Sequence, residues 1–272
     1  SAAMQCRIGH RIAAASLATL LAACKGGADA RPLTYDGATS ISRHILSDAI
    51  PAFEAKAGVR FGQVDQSGGG KGLARLFAGE VEVAGVARQL TSAELERQPY
   101  FQIIGYDALG VFVNEKSPVK ALSKAQLKAI FTGAIVNWKD VGGPNLPIVG
   151  CTEPLESGRN TLAVFQATVL DEAPYGAVRE TPDPADCLAF VAATPGGVSF
   201  ATIAYAIPGV RTVTVDGVEP IPARVLDSTY LLSRPLLLVT RKRPEGPLAA
   251  FFDFMLSPEG QRIVGKKFIP VR

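Results

Sequence analysis

The chain has 272 residues, of which 47% are hydrophobic and 19% charged, so it can bury a large core or form two lobes of ordinary domain size. Its formal net charge is only +3 and its basic residues are scattered, which argues against nucleic acid as a partner and leaves a small anion open. This composition is typical of a globular protein and not of a disordered one.

The N-terminal stretch has the features of an export signal. A basic flank and a short apolar run precede Leu21-Ala22-Ala23-Cys24, which resembles a bacterial lipobox. We predict a signal peptide over residues 1–24, with a cloning remnant at 1–3, and a lipid on Cys24; a cleaved signal for soluble secretion is the alternative. Residues 25–31 lack apolar periodicity and are predicted to form a tether. Both alternatives take the protein out of the cytoplasm, to the periplasm or the cell surface.

Three times along the chain, a β-like segment leads through a turn rich in Gly, Ser and Thr into a helical pattern. These turns lie at residues 36–40, 66–72 and 156–161. A helix that begins at such a turn presents free backbone N–H groups and the positive end of its dipole, which suits an anion. One glycine-rich turn alone is weak evidence. Three such helices converging across a cleft could direct their N–H groups at one tetrahedral oxyanion.

The remaining elements follow from apolar spacing and turn residues. A β-rich run at 102–113 is long enough to pass from one lobe to another, and the apolar strand 236–239, after Ser233-Arg234-Pro235, is a candidate for the return crossing. Thr91 and Glu94 have the spacing of a capping box at the start of a short helix. Further helices are predicted over 122–131, over 183–193 and from 248 onward.

Two cysteines, Cys151 and Cys187, remain beyond the predicted signal. An oxidising periplasm would allow them to pair, and the sequence leaves a disulfide and two free thiols equally open. The cysteines lack the spacing of metal ligands, and His44 is the only histidine beyond the signal. We therefore expect no metal and no other cofactor.

Several segments resemble the periplasmic phosphate-binding proteins of ABC-type uptake systems. The most specific is Ile130-Phe131-Thr132-Gly133 followed by Asn137-Trp138. The others keep the family's order along the mature chain: Gly37-Ala38-Thr39-Ser40, Ser67-Gly68-Gly69-Gly70, Glu156-Ser157-Gly158, Thr194-Pro195-Gly196-Gly197, Leu232-Ser233-Arg234-Pro235 and Ser257-Pro258-Glu259-Gly260-Gln261.

This resemblance implies an α/β protein of the type II periplasmic-binding-protein fold. Two lobes, residues 32–110 plus 236–272 and residues 111–235, would be joined by two crossing strands and hold the ligand between them. The implied function is binding of inorganic phosphate or a similar oxyanion and its delivery to ABC permease subunits. Membrane contact would come only through the N-terminal lipid.

The resemblance also implies a set of anion ligands drawn from the three turns. The positions that match the family's ligands are Thr39, Ser40, Ser67, Gly68, Ser157 and Gly158. Arg159 stands where the family usually has Thr, and Glu153 stands where an arginine often precedes this turn. Many members carry an aspartate at the position of Ala87, next to Arg88. We expect Arg88 and Arg159 to neutralise the charge of the anion.

The Ala87 position bears on selectivity. Hydrogen phosphate carries a proton that benefits from an acceptor, whereas sulfate has none and is penalised by a carboxylate that faces it. Because Ala87 offers no acceptor, either Glu156, Glu153 or Asp36 serves as the acceptor, or the site discriminates weakly between phosphate and sulfate. The prediction favours Glu156.

Two other classes of function stay open at this stage. A serine phosphatase or hydrolase could use Ser67 or Ser157, but the sequence has a single histidine beyond the signal and no Gly-x-Ser-x-Gly elbow. A surface lipoprotein could keep the fold and act as a sensor, an adhesin or a partner in another complex. We predict a binding protein and not an enzyme.

Overall fold

The computed structural model describes residues 31–272. The predicted signal peptide, Cys24 and nearly all of the tether lie outside the described residues. No helix within residues 31–272 is long and apolar enough to cross a membrane.

Strands and helices alternate along much of the chain, which gives a mixed α/β architecture. In chain order the strands are β1 (Leu33–Gly37), β2 (Phe61–Val64), β3 (Val83–Val86), β4 (Tyr100–Asn114), β5 (Ala121–Leu122), β6 (Val149–Thr152), β7 (Arg179–Glu180), β8 (Gly197–Thr202), β9 (Val210–Thr212), β10 (Thr214–Val215), β11 (Ser233–Thr240) and β12 (Ile269–Pro270).

One large sheet has the strand order β2-β1-β3-β11-β4-β8-β6-β7, with β9 and β12 as further partners of β4. The long strand β4 belongs to two regions of this sheet. Its first part pairs with β11 as far as Ala108, and its second part, from Leu109 onward, pairs with β8. Strand β1 is parallel to β2 and β3, which requires the intervening helices to cross over the sheet.

The helices start and stop where local sequence satisfies their free backbone groups. Thr91 with Glu94 forms the predicted capping box, and Gly133, in the left-handed conformation, ends the helix predicted from 122. In chain order the helices are α1 (Thr39–Ile41), α2 (Ser47–Ala57), α3 (Gly69–Phe77), α4 (Ser92–Glu96), α5 (Lys124–Thr132), α6 (Asn160–Thr168), α7 (Pro184–Ala193), α8 (Pro222–Leu226), α9 (Gly246–Leu256) and α10 (Pro258–Val264). A π-helical segment, Ser42–Leu46, joins α1 to α2 in one continuous helical run.

Two large apolar clusters form the core. One draws mainly on residues 108–232 and includes the stacked rings of Phe165 and Phe200, whose centroids are 3.8 Å apart. The other draws mainly on residues 33–104 and 236–268. The predicted boundaries of the two lobes stay a prediction.

The two cysteines of the described chain are joined by a disulfide. Cys151 lies at the end of β6 and Cys187 lies in α7, with their Cα atoms 5.5 Å apart. Both are fully buried, so the bond ties α7 to the sheet inside the core.

Candidate functional site

A small cavity lies where three helices begin. It is bordered by the first residues of α1, α3 and α6 and has a volume of about 30 Å³. Its lining residues are Ala38, Thr39, Ser40, Gly68, Gly69, Ala87, Glu153, Arg159, Asn160, Thr161, Pro184, Ala201, Thr202, Tyr205 and Arg234. Residues of the three turns that the sequence singled out therefore border one cavity.

One side of the cavity carries no ionisable side chain among its lining residues. We call it the N–H wall; it consists of Ala38, Thr39, Ser40, Gly68, Gly69 and Ala87. Gly68 precedes α3 with a φ of 103°, a conformation that other residues rarely adopt. The hydroxyl groups of Thr39 and Ser40 and the backbone N–H groups of Thr39, Ser40 and Gly69 are donors suited to anion oxygens. The backbone N–H groups of the other three residues donate to protein oxygens.

A second set of lining residues contains the charged groups. We call it the charged wall; it consists of Glu153, Arg159, Asn160, Thr161 and Arg234. Arg234, on β11, is only 3% exposed, and its Nε and Nη2 lie 3.0 and 2.9 Å from Oδ2 of Asp107. Its Nη1 donates to Oγ1 of Thr161 at 3.2 Å. Asp107 and Thr161 thus hold the guanidinium in place in the cavity lining.

Asp107 provides this support from inside the sheet. Burial raises the pKa of the Asp107 carboxyl, and the Arg234 guanidinium opposes that rise. The carboxylate also accepts hydrogen bonds from Thr202 Oγ1 at 2.7 Å and from the Ala108 backbone N–H at 2.8 Å. These contacts satisfy the buried charge and hold Arg234 in one orientation.

A second ion pair lies in the same wall. Nη1 of Arg159 is 2.6 Å from Oε1 of Glu153, whose side chain is 8% exposed. Both residues line the cavity, so a carboxylate and a guanidinium face it together. Arg159 is also the residue immediately before α6, where the N–H groups of that helix are free.

Asn160 connects the two walls. Its Oδ1 accepts a hydrogen bond from the Ala87 backbone N–H at 3.0 Å, while its Nδ2 has no hydrogen-bond partner. The side chain is 4% exposed and packs against Gly69 so closely that a Cβ at residue 69 would lie 2.7 Å from Asn160 Cγ.

Comparison with known proteins confirms the predicted type II periplasmic-binding-protein fold. The family model described as "PBP superfamily domain" matches residues 23–259, which is most of the chain. The chain belongs to the PBP superfamily. Its likeness to solute-binding proteins of this superfamily makes it a binding protein and not an enzyme.

The relatives of this PBP-superfamily chain carry consistent names. It is 28% identical over 248 residues to the phosphate-binding protein PstS of Bacillus subtilis, covering 88% of this chain and 80% of that protein. It is 26% identical to PstS of Borreliella burgdorferi, and the match covers 90% of this chain and 92% of that protein. A Clostridium perfringens structure described as a phosphate ABC transporter substrate-binding protein, with bound phosphate, matches with a TM-score of 0.79 and 30% identity over 89% of this chain and all of that one.

The structure brings some of the predicted site residues of this PBP-superfamily chain to the cavity. Thr39, Ser40, Gly68 and Arg159 line it. Ser67 does not, because its Oγ donates to Oδ2 of the buried Asp36 at 2.8 Å and its backbone N–H donates to Oδ1 at 2.9 Å. The Ser67 hydroxyl therefore anchors the turn before α3.

Arg88 lies outside the lining. Its Nη1 and Nη2 both donate to the carboxylate of Glu94 at 2.8 Å, so the guanidinium is occupied at the start of α4. Burial works against ionisation there, but hydrogen bonds from Arg88 and the Thr91 backbone hold the pKa of Glu94 below its usual value. The structure thus does not place Arg88 where it would neutralise an anion in the cavity.

Only the last three residues of the third turn, 159–161, line the cavity. Ser157 and Gly158 do not line it, and the Ser157 hydroxyl accepts from the Arg159 backbone N–H at 3.4 Å. Glu156 lies in a short 3₁₀ turn, Leu155–Ser157, with an exposed side chain. Of the three carboxylates considered as proton acceptors, Glu153 is the one that lines the cavity, and it is buried. The preference for Glu156 stays a prediction.

The geometry around His44 is also unlike a hydrolase. Within residues 31–272 neither Ser67 nor Ser157 donates to His44, whose ring packs edge-on against Tyr205 at 4.8 Å. Burial, together with Arg43 and Lys267, lowers the pKa of His44. Neighbouring Arg43 instead donates to Asp183 and to the hydroxyl of Tyr205, at 3.2 and 3.1 Å.

Arg234 and Asn160 are two polar cavity residues to which the sequence reasoning gave no role. The motif Ser233-Arg234-Pro235 contained the signal for the first, since an arginine within an apolar crossing strand requires a buried partner. Asn160 had no such signal.

Proposed function

We propose that the protein binds inorganic phosphate, or a similar tetrahedral oxyanion, in this cavity and delivers it to an ABC permease. The observation that carries the proposal is the buried guanidinium of Arg234, fixed by Asp107 beside the starts of three helices. The phosphate-related names of the Bacillus and Borreliella proteins and of the Clostridium structure support it.

The energetics favour this arrangement over helix dipoles alone. Micromolar affinity corresponds to about 8 kcal/mol, whereas one exposed helix terminus contributes about 0.3–1 kcal/mol. Hydrogen bonds to charged groups contribute about 1.5–3 kcal/mol each. Arg234, Arg159 and the donors of the N–H wall provide enough such bonds in a small enclosed space.

Glu153 is proposed to select a protonated anion. Its carboxylate can accept the proton that hydrogen phosphate carries, while sulfate would face an uncompensated negative charge. Arg159, 2.6 Å away, keeps the carboxylate beside the anion without leaving it unpaired. Selection of phosphate over sulfate thus rests on a residue of the charged wall.

The test is a calorimetric titration of phosphate and of sulfate, near neutral pH, into the wild type, Glu153→Gln and Glu156→Gln. We expect the wild type to bind phosphate and to discriminate against sulfate. Glu153→Gln should reduce the ratio of phosphate to sulfate affinity by about ten-fold or more, because the variant loses the charged hydrogen bond to hydrogen phosphate and no longer repels sulfate. Glu156→Gln is the matched control and leaves it unchanged. The reverse pattern contradicts the assignment, and absence of phosphate binding by the wild type contradicts the function and favours the sensor or adhesin alternative.

We also propose that the protein acts outside the cytoplasm and is held at a membrane by a lipid on Cys24. The lipobox-like sequence before Cys24 supports this. Expressed in a bacterium with a labelled fatty acid, the wild type should incorporate label and Cys24→Ser should not; equal labelling of both contradicts the anchor.

A further inference from the structure

Asn160 has an unusual hydrogen-bonding state for a buried side chain. It is 4% exposed and lines the cavity, yet its Nδ2 has no partner. Buried polar atoms are nearly always paired, so an unpaired one beside a cavity calls for an explanation. A ligand oxygen in the cavity provides one.

The orientation of the amide is fixed by its other end. Oδ1 accepts from the Ala87 backbone N–H at 3.0 Å. Exchanging Oδ1 and Nδ2 would set two donors against each other, so the oxygen must face Ala87. The two N–H groups of Nδ2 are then the ones left for a ligand.

The same side chain also links two distant parts of the chain. Ala87 follows β3 and belongs to the N–H wall, whereas Asn160 is the first residue of α6 and belongs to the charged wall. The absence of a side chain at Gly69 makes room for the amide. One end of Asn160 thus holds the walls together while the other end is free to donate.

We infer that Asn160 is a ligand-binding residue that donates Nδ2–H to an oxygen of the bound oxyanion, with its Oδ1 holding the two walls together through Ala87. This inference rests on the proposed function, because it needs an oxyanion in the cavity. It adds a neutral donor, unable to accept a proton, to the charged wall. Ligand binding and wall-to-wall contact are thereby coupled through one amide group.

The test measures phosphate affinity and dissociation rate for the wild type, Asn160→Asp and Asn160→Ala. Asn160→Asp keeps an oxygen for the Ala87 N–H but replaces the donor by a negative charge, so we expect about a 100-fold loss of affinity. Asn160→Ala removes both contacts and should weaken binding about ten-fold or more and speed dissociation. Asn145→Asp, at an exposed position outside the lining, adds the same charge and should change affinity little.

The outcomes separate this inference from the proposed function. Wild-type phosphate affinity in Asn160→Ala, or in a folded Asn160→Asp, overturns the inference while the function stands. Thermal unfolding without phosphate shows whether each variant is folded; if Asn160→Asp fails to fold, wild-type affinity in Asn160→Ala overturns it instead. A wild type that binds no phosphate contradicts the proposed function itself, and the inference with it.

Discussion

The two walls of the cavity offer an anion different chemistry. The N–H wall presents hydroxyl and backbone N–H groups, whereas the charged wall presents Arg234, Arg159 and a buried carboxylate. The N–H wall is built from the two turns before α1 and α3 and from Ala87 after β3, while the charged wall depends in part on contacts between residues far apart in the chain. Charge neutralisation and selectivity are therefore concentrated on one side of the cavity, and the other side supplies neutral donors.

Two arginine–carboxylate pairs show why this division arises. Arg234 is 3% exposed and contacts Asp107 through Nε and Nη2, while its Nη1 donates to Thr161 in the cavity lining. Arg88 is 15% exposed and uses both terminal nitrogens on Glu94. Arg234 can therefore contact an anion in the cavity, whereas both terminal nitrogens of Arg88 are bound to Glu94.

The largest effect is expected from removing the buried guanidinium. Arg234→Ala should abolish measurable phosphate binding and lower the free energy of unfolding by about 3–5 kcal/mol, because it leaves the buried Asp107 without its partner. Calorimetry and chemical denaturation measure the two effects. Arg234→Lys is the control that keeps a positive charge but lacks the planar guanidinium, so it separates the effect of charge from that of geometry. Wild-type phosphate affinity in Arg234→Ala would contradict the assignment of Arg234 to the site.

A smaller effect is expected where the walls approach each other. Gly69→Ala places a methyl group 2.7 Å from Asn160 Cγ, and overpacking of this kind costs about 1–3 kcal/mol, so phosphate affinity should fall about ten-fold. Gly70→Ala is the matched control, since the nearest atom to its Cβ, the Gly158 carbonyl oxygen, is 3.7 Å away. Equal affinities of the two variants would show that the walls do not need this contact.

The smallest effect is expected on the far side of the N–H wall. Arg88→Ala should leave phosphate affinity within about two-fold of the wild type and cost at most about 1 kcal/mol of stability, as for other ion pairs near the surface. Calorimetry beside thermal unfolding checks both. A loss of ten-fold or more in affinity would restore Arg88 to the site and contradict the division between the walls.

The N–H wall could be predicted because its signals are local. Glycine and small hydroxyl residues before an apolar period mark helix starts, and two of the three starts that pointed to one anion site, those of α1 and α3, belong to this wall. Local spacing also contained the reason why Arg88 is absent from the cavity. Glu94 is only six residues away and belongs to the recognised capping box, so its pairing with Arg88 could have been anticipated.

The charged wall could not be predicted in the same way. The partners Arg234 and Asp107 are 127 residues apart, and Ala87 and Asn160 are 73 apart. Such pairs depend on how β4 and β11 lie side by side and on where α6 begins, and no periodicity or motif encodes that. The sequence also could not show that Glu153 is buried, whereas Glu156, in a short 3₁₀ turn, is exposed.

A crystal structure of the wild type at saturating phosphate tests the central claim most directly. We predict one tetrahedral anion in the cavity, within hydrogen-bond distance of the Arg234 and Arg159 guanidinium groups, of Asn160 Nδ2 and of backbone N–H groups of the N–H wall. An empty cavity with phosphate bound elsewhere, or an anion that contacts Arg88 and leaves Arg234 untouched, would contradict the account.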